Sequence, residues 1–516
     1  MKPLTLEEVV SATEGTCDRS TLPGSVTRVT TDSRDVKPGD LFFAIRGERF
    51  DGHQFIGEAF ASGAMAAIVR HDFQWASPLM ETPEAAKIPP DAILIRVDDT
   101  ITALGRLGRY CRLRLLEAVT VVAVTGSNGK TTTKSMIAHL LSERWKGRAS
   151  IKSFNNNIGV PLTLLSVEPS DEFVICEVGT NAPGEIAELA RLIEPEVAVI
   201  TGVSEAHLEG LGSLEKIADE KLSLLKFLRP GGCAILNHDC EAVAAGLKRD
   251  RAFNKIKKVT FGRNPDADLR LTAYAPKVSP GADGQLTGSV EFTINDRFQY
   301  CLAVPGRHNV SNALAAIAVA RRFGMDHEEI AARLATFTLP PMRLETLRVG
   351  RLTLINDAYN ANPASLAAAV DVLQDMKAPR RRVLIVGDMR ELGSESERLH
   401  REAAEKIAHA GVQMVVAVGQ RAKLVAQTVK QASGGAIETH AFGTTETARK
   451  RLTSYLRPDD TILIKGSRAL GLEKLAEQIR GWAETRGSRG SASRQVAHRD
   501  SERSGPATGR LASPSR

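Results

Sequence analysis

An apolar run at 119–124, Val-Thr-Val-Val-Ala-Val, empties directly into Thr125-Gly-Ser-Asn-Gly-Lys-Thr-Thr132. This junction restricts the fold of the chain more than any other stretch. A buried strand, a glycine turn and a Lys-Thr pair opening a helix together make a unit that holds nucleotide phosphates. Gly126 and Gly129 let the backbone approach an anion without a Cβ in the way. The N–H groups of the turn, which includes Ser127 and Asn128, and of the helix N-terminus then point at the phosphates. Lys130 supplies a mobile positive charge, Thr131 offers a hydroxyl to Mg²⁺, and Thr132 completes the first turn. The spacing is shorter than in the common nucleotide hydrolases, whose first glycine would fall at Val124. A glycine-rich strand–helix turn alone can be purely structural; the added Lys-Thr-Thr predicts a bound nucleoside triphosphate.

The 516 residues suggest about three domains at roughly 150 residues each. Patterning predicts an α/β chain: a small α/β domain at 1–117, a central phosphate-loop α/β domain at 118–342 and a C-terminal doubly wound, Rossmann-like domain at 343–485. In the first, strands fall within 26–34, 37–45, 67–69 and 92–95, with a helix over 55–65. In the second, 172–176 and 197–200 read as strands of a buried parallel sheet, 269–303 alternates like antiparallel strands, and 309–322 reads as a helix. In the third, strands at 352–355, 383–386, 414–418 and 461–464 alternate with helices. Ligands of such a sheet gather at the carboxyl ends of its strands, where Asp357, Asp388 and Lys465 lie.

The net charge of +7 raises the question of nucleic acid, and its placement argues against it. Residues 486–516 hold seven Arg against Asp500 and Glu502, a net of +5, which leaves +2 for the first 485. This tail, rich in Ser, Gly and Arg without periodicity, is expected to be disordered. No apolar stretch approaches the roughly 20 residues of a membrane span, and the N-terminus lacks the apolar segment of a secretory signal. Six scattered cysteines without a C-x-x-C pair favour reduced thiols in a cytoplasmic protein.

Three further residues stand out. Glu177 ends a strand of the phosphate-loop sheet, well placed to ligate Mg²⁺. His207 follows the next strand and is placed to reach a second metal. Fourteen residues on, Lys221 falls within Ala218-Asp-Glu-Lys-Leu222, read as helix, where a lysine would ordinarily snorkel its charge to water.

Taken in order, T-G-S-N-G-K-T-T at 125–132, N-N-N-I-G-V-P-L-T at 155–163, E-V-G at 177–179, H-L-E-G at 207–210, the Lys221 segment, G-R-H-N-V-S-N-A at 306–313, P-M-R-L-E at 341–345 and N-D-A-Y-N-A-N-P at 356–363 resemble the ATP-dependent Mur ligases of bacterial cell-wall synthesis. The resemblance covers residues 27–480. Within the family, V-L-I-V-G-D-M-R-E-L-G at 383–393 and I-L-I-K-G-S-R at 462–468 are most similar to the members that add D-alanyl-D-alanine. The D-N-P-R and G-K-G-H-E strings typical of the branch adding the third amino acid do not occur. Ligases that extend folate with glutamate are disfavoured by 383–393 and by the UDP-type first domain.

The resemblance implies an enzyme that joins D-alanyl-D-alanine to UDP-N-acetylmuramoyl-tripeptide through an acyl phosphate, using ATP and two Mg²⁺ ions. It implies a monomer with no nucleic-acid partner and no membrane insertion. It makes Lys130, His207 and Lys221 catalytic, with Lys221 carbamylated by CO₂ into a Mg²⁺ ligand; Thr131 and Glu177 would hold one ion and His207 a second. Asn309 and Asn312 would meet the adenine side of ATP, Asp357 the ribose side and Arg343 the phosphates. Read locally, Asn309 could instead cap the helix after it, and Asp357 could shape a turn. Thr31, Asp32, Ser33, Arg34, Gly47, the Asp51-Gly-His53 loop and Asn156 match the UDP-binding face. Lys465 and Arg468 are candidates by position for reading D-alanyl-D-alanine.

Overall fold

A computed structural model describes residues 1–19, 21–47, 50–74, 89, 91–280, 286–376 and 381–486. The basic tail beyond Arg486 lies outside the described residues. The chain divides into two compact units, one of Met1–Lys277, Gly288–Pro340 and Glu391–Gly393, the other chiefly Pro341–Arg390 and the residues from Ser394 onward.

The first unit contains two main sheets. The smaller is parallel, in the order Val29–Thr30, Leu41–Phe43, Ala66–Arg70, Ile93–Val97. The helix expected over 55–65 is shorter. A 3-10 turn at Gly52–Phe55 leads into Ile56–Ala61, and Gly63, at φ 97°, turns the chain toward the next strand. The larger sheet has nine strands, in the order Phe298–Leu302, Leu286–Ile294, Leu269–Pro280, Lys257–Gly262, Cys233–Asn237, Val197–Ile200, Thr120–Thr125, Phe173–Glu177, Gly147–Ala149. Its last two hairpin strands pair antiparallel as expected, but Leu269–Pro280 joins Lys257–Gly262 in parallel.

The phosphate-loop strand is apolar on both faces because both are covered. Val122 and Val124 pack with Met136, Ile137 and Leu140 of the helix Lys130–Leu141 and with Leu314 and Ile317 of Arg307–Arg322. Val121 and Ala123 pack with Val160, Leu164, Ile186 and Leu189 on the opposite face. After Thr120–Thr125 the chain builds two strands to one side and then crosses to place Val197–Ile200 on the other. The loop therefore sits where the winding direction switches, the place at which open α/β sheets bind ligands. Arg112, fully buried on the helix Thr100–Arg114, ties this sheet to the smaller one's helix. It donates to the carbonyls of Ile193, Leu116 and Glu194 and pairs with Glu196, whose other oxygen accepts from Val121 N.

The second unit is a six-stranded sheet in the order Glu345–Val349, Leu352–Asp357, Thr461–Lys465, Arg382–Gly387, Met414–Val418, Glu438–Phe442. Only the first pair is antiparallel. Both edge strands are half-exposed and lack the continuous apolar run of the inner ones. Asp357 and Lys465 end adjacent strands, and Asp388 follows a third, as expected of this sheet.

Candidate active site

The phosphate loop is held from behind. Gly126 has φ 150° and Gly129 φ 82°, and a Cβ on either would collide with a neighbour: Thr201 Oγ1 at 1.9 Å for Gly126, Asn312 Oδ1 at 2.2 Å for Gly129. Both glycines are thus required by packing as well as by anion approach. Thr201 Oγ1 donates to Asn128 O at 2.5 Å. Ser127 N donates to Gly202 O at 2.9 Å, Ser127 Oγ to Ser204 O at 3.0 Å, and Asn128 Nδ2 to Ser204 Oγ at 2.9 Å. The side chains of Ser127 and Asn128 therefore brace the loop against 201–204. Lys130 folds back, its ammonium donating to Gly126 O at 2.8 Å. Thr132 is buried.

Thr131 Oγ1 lies 3.4 Å from Ser153 Oγ. Glu177 ends the neighbouring strand, in register with Val124, and is 1% exposed. Its Oε1 accepts from Asn155 Nδ2 at 3.0 Å. Its Oε2 lies 3.1 Å from the buried ammonium of Lys134, in ion-pair range, yet meets no donor at hydrogen-bond geometry. A buried hard-oxygen ligand with spare capacity, on the strand next to the Thr131 hydroxyl's loop, fits a divalent cation. Lys134 and Asn155 were not singled out in the sequence. The available signal was a lysine one helical turn beyond Lys130, on the helix's covered side.

Lys221 is 1% exposed on the helix Leu214–Leu222. Burial, reinforced by the charge of Lys130 and opposed by Glu220, pushes its amine down to about 7. Its neighbour Glu220 anchors the helix by accepting from Gly184 N at 2.7 Å and Ile186 N at 2.8 Å, at the N-terminus of the helix Glu185–Ile193. His207 sits at φ 59°, a strained conformation for a residue with a Cβ. Its Nδ1 lies 2.6 Å from Glu391 Oε2 in the same unit, and His207 holds that carboxyl below the ordinary range.

Asn309 does not cap its helix. The helix begins at Arg307 with Gly306 as its cap, and Asn309 Nδ2 reaches back to Pro305 O at 2.7 Å. Asn312 accepts from Thr133 Oγ1 at 3.3 Å and donates to Asn309 Oδ1 at 3.3 Å. This buried pair is packed behind the loop's Gly129.

In the second unit Asp357 accepts from Leu344 N at 3.2 Å and from the Lys465 ammonium at 2.6 Å, and Lys465 also donates to Asn360 O at 3.0 Å. Lys465 is thereby committed inside the unit. The Arg343 guanidinium stacks on Tyr359, 4.4 Å from the ring centre, between Met342 at φ 57° and Leu344 at φ 51°. Arg468 is half-exposed beside Glu473, 3.5 Å away. Asp388 is taken up by the amides of Gln420, Arg421 and Ala422 at the start of the helix Ala422–Ala432.

On the smaller sheet, Arg34 is 85% exposed and forks onto Asp32 at 2.8 and 2.7 Å. Ser33 Oγ donates to Glu58 at 3.2 Å. Thr31 lies at the head of this loop, next to the strand Val29–Thr30. Gly47 N donates to Phe50 O at 2.9 Å. Buried His53 sits between Asp51 (Nδ1, 2.6 Å) and Arg70 N (Nε2, 3.1 Å). Asn156 Oδ1 accepts from Gly159 N at 3.0 Å, at the start of the helix Gly159–Leu165.

Three stretches of the chain match family descriptions: residues 25–110 "Mur ligase family, catalytic domain", 124–320 "Mur ligase middle domain" and 342–468 "Mur ligase, glutamate ligase domain". A UDP-N-acetylmuramoyl-tripeptide–D-alanyl-D-alanine ligase of Escherichia coli (strain K12) is 36% identical over 456 residues, 87% of this chain and 93% of that protein. A crystal structure of MurF from Acinetobacter baumannii superposes with a TM-score of 0.79 at 30% identity, over 93% of this chain and 99% of that one. The MurF ligase from Thermotoga maritima, in complex with ADP, superposes with a TM-score of 0.72 at 25% identity, over 89% and 99%.

Proposed function

The chain belongs to the Mur ligase family, and from that premise we infer that it joins D-alanyl-D-alanine to UDP-N-acetylmuramoyl-tripeptide at the expense of ATP. The observation that carries this reading is likeness to ligases of that name over 87% of the chain, together with a phosphate loop at the switch point of its sheet.

The chemical difficulty is that a carboxylate is a poor electrophile. Its oxygen attacks the γ-phosphorus of ATP, the bond to ADP breaks, and an acyl phosphate forms. The amine of D-alanyl-D-alanine then attacks the carbonyl carbon, phosphate leaves, and the nitrogen loses a proton as the amide forms. Lys130, released from Gly126 O, would pair with the outer phosphates as charge builds on the transferred group. The amides of the helix start and of the loop other than Ser127, whose N–H is taken by Gly202 O, would cradle the inner phosphates. An acyl phosphate hydrolyses readily, so the step needs water excluded. Aligning the reactants contributes up to roughly 7–11 kcal/mol of barrier lowering.

We assign Mg²⁺ to Thr131 and Glu177, with His207 and Lys221 toward a second ion. Bound there, it would neutralise phosphate charge and draw electron density from phosphorus. A lysine amine titrating near 7 is available in its neutral form to react with CO₂, which supports carbamylation of Lys221. Asn309, Asn312, Arg343 and Asp357 are proposed for the nucleotide, the two asparagines by shaping the loop from behind. Ser33, Arg34, Gly47 and Asn156 are proposed for the UDP substrate. The division of labour we propose is 1–117 for the UDP substrate, 118–342 for ATP and 343–485 for the incoming dipeptide. No helix among the described residues is long and apolar enough to cross a membrane. We propose a cytoplasmic monomer, on the grounds of nucleotide-linked substrates and six unpaired cysteines.

The test is phosphate release from ATP and Mg²⁺ with UDP-N-acetylmuramoyl-tripeptide, offering D-alanyl-D-alanine or single amino acids. Turnover should require the dipeptide. Turnover with a single amino acid on a shorter acceptor would overturn the substrate while keeping the chemistry.

A further inference from the structure

The phosphate-loop helix carries a second lysine one turn past Lys130. Lys134 is 3% exposed, and its ammonium meets three oxygens: Ser150 O at 2.7 Å, Lys152 O, and Glu177 Oε2 at 3.1 Å. The surrounding segment closes on the same pair. Glu177 N donates to Ser150 Oγ at 3.0 Å, Asn155 Nδ2 donates to Glu177 Oε1 at 3.0 Å, and Ser153 reaches the Thr131 hydroxyl. This ammonium, among oxygens that include a buried carboxylate, supplies the positive charge which that carboxylate would otherwise take from a bound cation.

We propose that the Lys134 ammonium is the resident cation of the Glu177 carboxylate: it positions Glu177 and residues 150–153 before nucleotide arrives, and it makes divalent-cation binding at Glu177 depend on the nucleotide's phosphates. This rests on the assignment of Glu177 as a metal ligand made above. The pair is neutral as it stands. A bare divalent cation would gain one carboxylate already neutralised and would meet a buried ammonium's repulsion, which a low dielectric magnifies. A nucleotide's phosphates, about three negative charges on ADP and about four on ATP, reverse that balance. Cation and nucleotide then enter as linked ligands, each raising the other's affinity by the same factor. Were Lys134 only a tether for the 150–152 backbone, removing it would loosen the protein without creating metal affinity.

The experiment uses the full chain with Mn²⁺ as the probe, read by electron paramagnetic resonance with and without ADP. The wild type should bind Mn²⁺ in the presence of ADP and only weakly without it. K134M should bind Mn²⁺ without ADP at least about tenfold more tightly than the wild type, and K134M/E177Q should lose that gain. K134R, which keeps the charge, should behave as the wild type. A folded K134M with wild-type Mn²⁺ affinity overturns the proposal, as does a wild type that binds Mn²⁺ equally well with and without ADP. The wild-type arm decides even if K134M fails to fold. If E177Q leaves Mn²⁺ in the ADP complex untouched, the metal role of Glu177 falls and the proposal with it. If E177Q abolishes that binding but K134M gains nothing, the role of Lys134 alone is refuted.

Discussion

Each unit buries a pairing of a strand-end carboxylate with a lysine, and the two are built differently. In the second unit, Asp357 and Lys465 end neighbouring parallel strands in register, so the backbone itself brings them together. Both Asp357 oxygens take donors, and Lys465 fills a further carbonyl. In the first unit, Glu177 meets Lys134 from a helix, and Glu177 Oε2 has an ionic neighbour but no donor at hydrogen-bond geometry. A second buried lysine, Lys221, has no hydrogen-bonding or ion-pair partner for its amine among the described residues. The same residue types thus make a closed latch in one place and an open coordination shell in the other. Satisfied buried polar groups specify structure, and unsatisfied ones mark where a ligand is expected.

The contrast predicts different readouts. At the open site, substitutions should move turnover. Lys130→Ala should lower kcat by at least about 10²-fold, by analogy with losing one preorganised donor. Its denaturant midpoint should stay close to that of the wild type, because Lys130 is only partly buried and its ammonium donates to the loop's own backbone. Near-normal turnover would break the comparison at its stronger end.

At the closed latch, stability should move instead. Lys465→Met leaves the largely enclosed Asp357 carboxylate without its cation, and breaking a fully buried pair of this kind costs about 3–5 kcal/mol, so a loss of about 2–3 kcal/mol is expected. Asp357→Asn combined with Lys465→Met should recover most of that, since no charge is then stranded. Urea unfolding of the three proteins decides it. If K465M is as stable as the wild type, the latch is no latch.

Lys221 sharpens the comparison through pH. Its amine titrates near 7 when folded and near 10.4 when unfolded. Between those values the unfolded chain binds the extra proton, so stability should rise with pH across that window. The destabilisation is complete below about 7 and gone above about 10. The slope should approach about 1.4 kcal/mol per pH unit in CO₂-free buffer. Lys221→Met should flatten it and be the more stable protein at the acid end. Equal slopes in both proteins would show that Lys221 is not buried as a bare amine.

What was legible in the sequence follows from what a side chain can announce. The loop glycines, Lys130, Glu177 and Lys221 sit at strand ends or helix positions that periodicity locates. The inner strands announce themselves by continuous apolar runs, and the edges Glu345–Val349 and Glu438–Phe442, half in water, do not. Lys134 stayed hidden because its partners include backbone carbonyls of a segment that folds back onto it. Asn312 was expected toward adenine and packs behind Gly129, a contact that depends on how the helix Arg307–Arg322 lies against Lys130–Leu141. Tertiary contacts of that kind leave no local pattern.

The smallest expected effect lies on the smaller sheet, where a third acid–base pair is neither latch nor shell. Arg34 and Asp32 fork together in water, and Arg34 is 85% exposed. An exposed pair adds little to stability, so Arg34→Ala should leave the unfolding midpoint where it is. A guanidinium already oriented by Asp32 is nonetheless well shaped for a diphosphate. Arg34→Ala should raise KM for the UDP-linked substrate about three- to tenfold with kcat nearly unchanged, a modest value because water screens the contact. The difference should shrink as salt rises. Asp32→Asn frees the same guanidinium from its internal partner, so its KM should move the other way or not at all. If Asp32→Asn weakens the substrate as much as Arg34→Ala does, Asp32 serves by aiming the arginine, and the exposed pair is closer in kind to the Asp357 latch than its solvent exposure suggests.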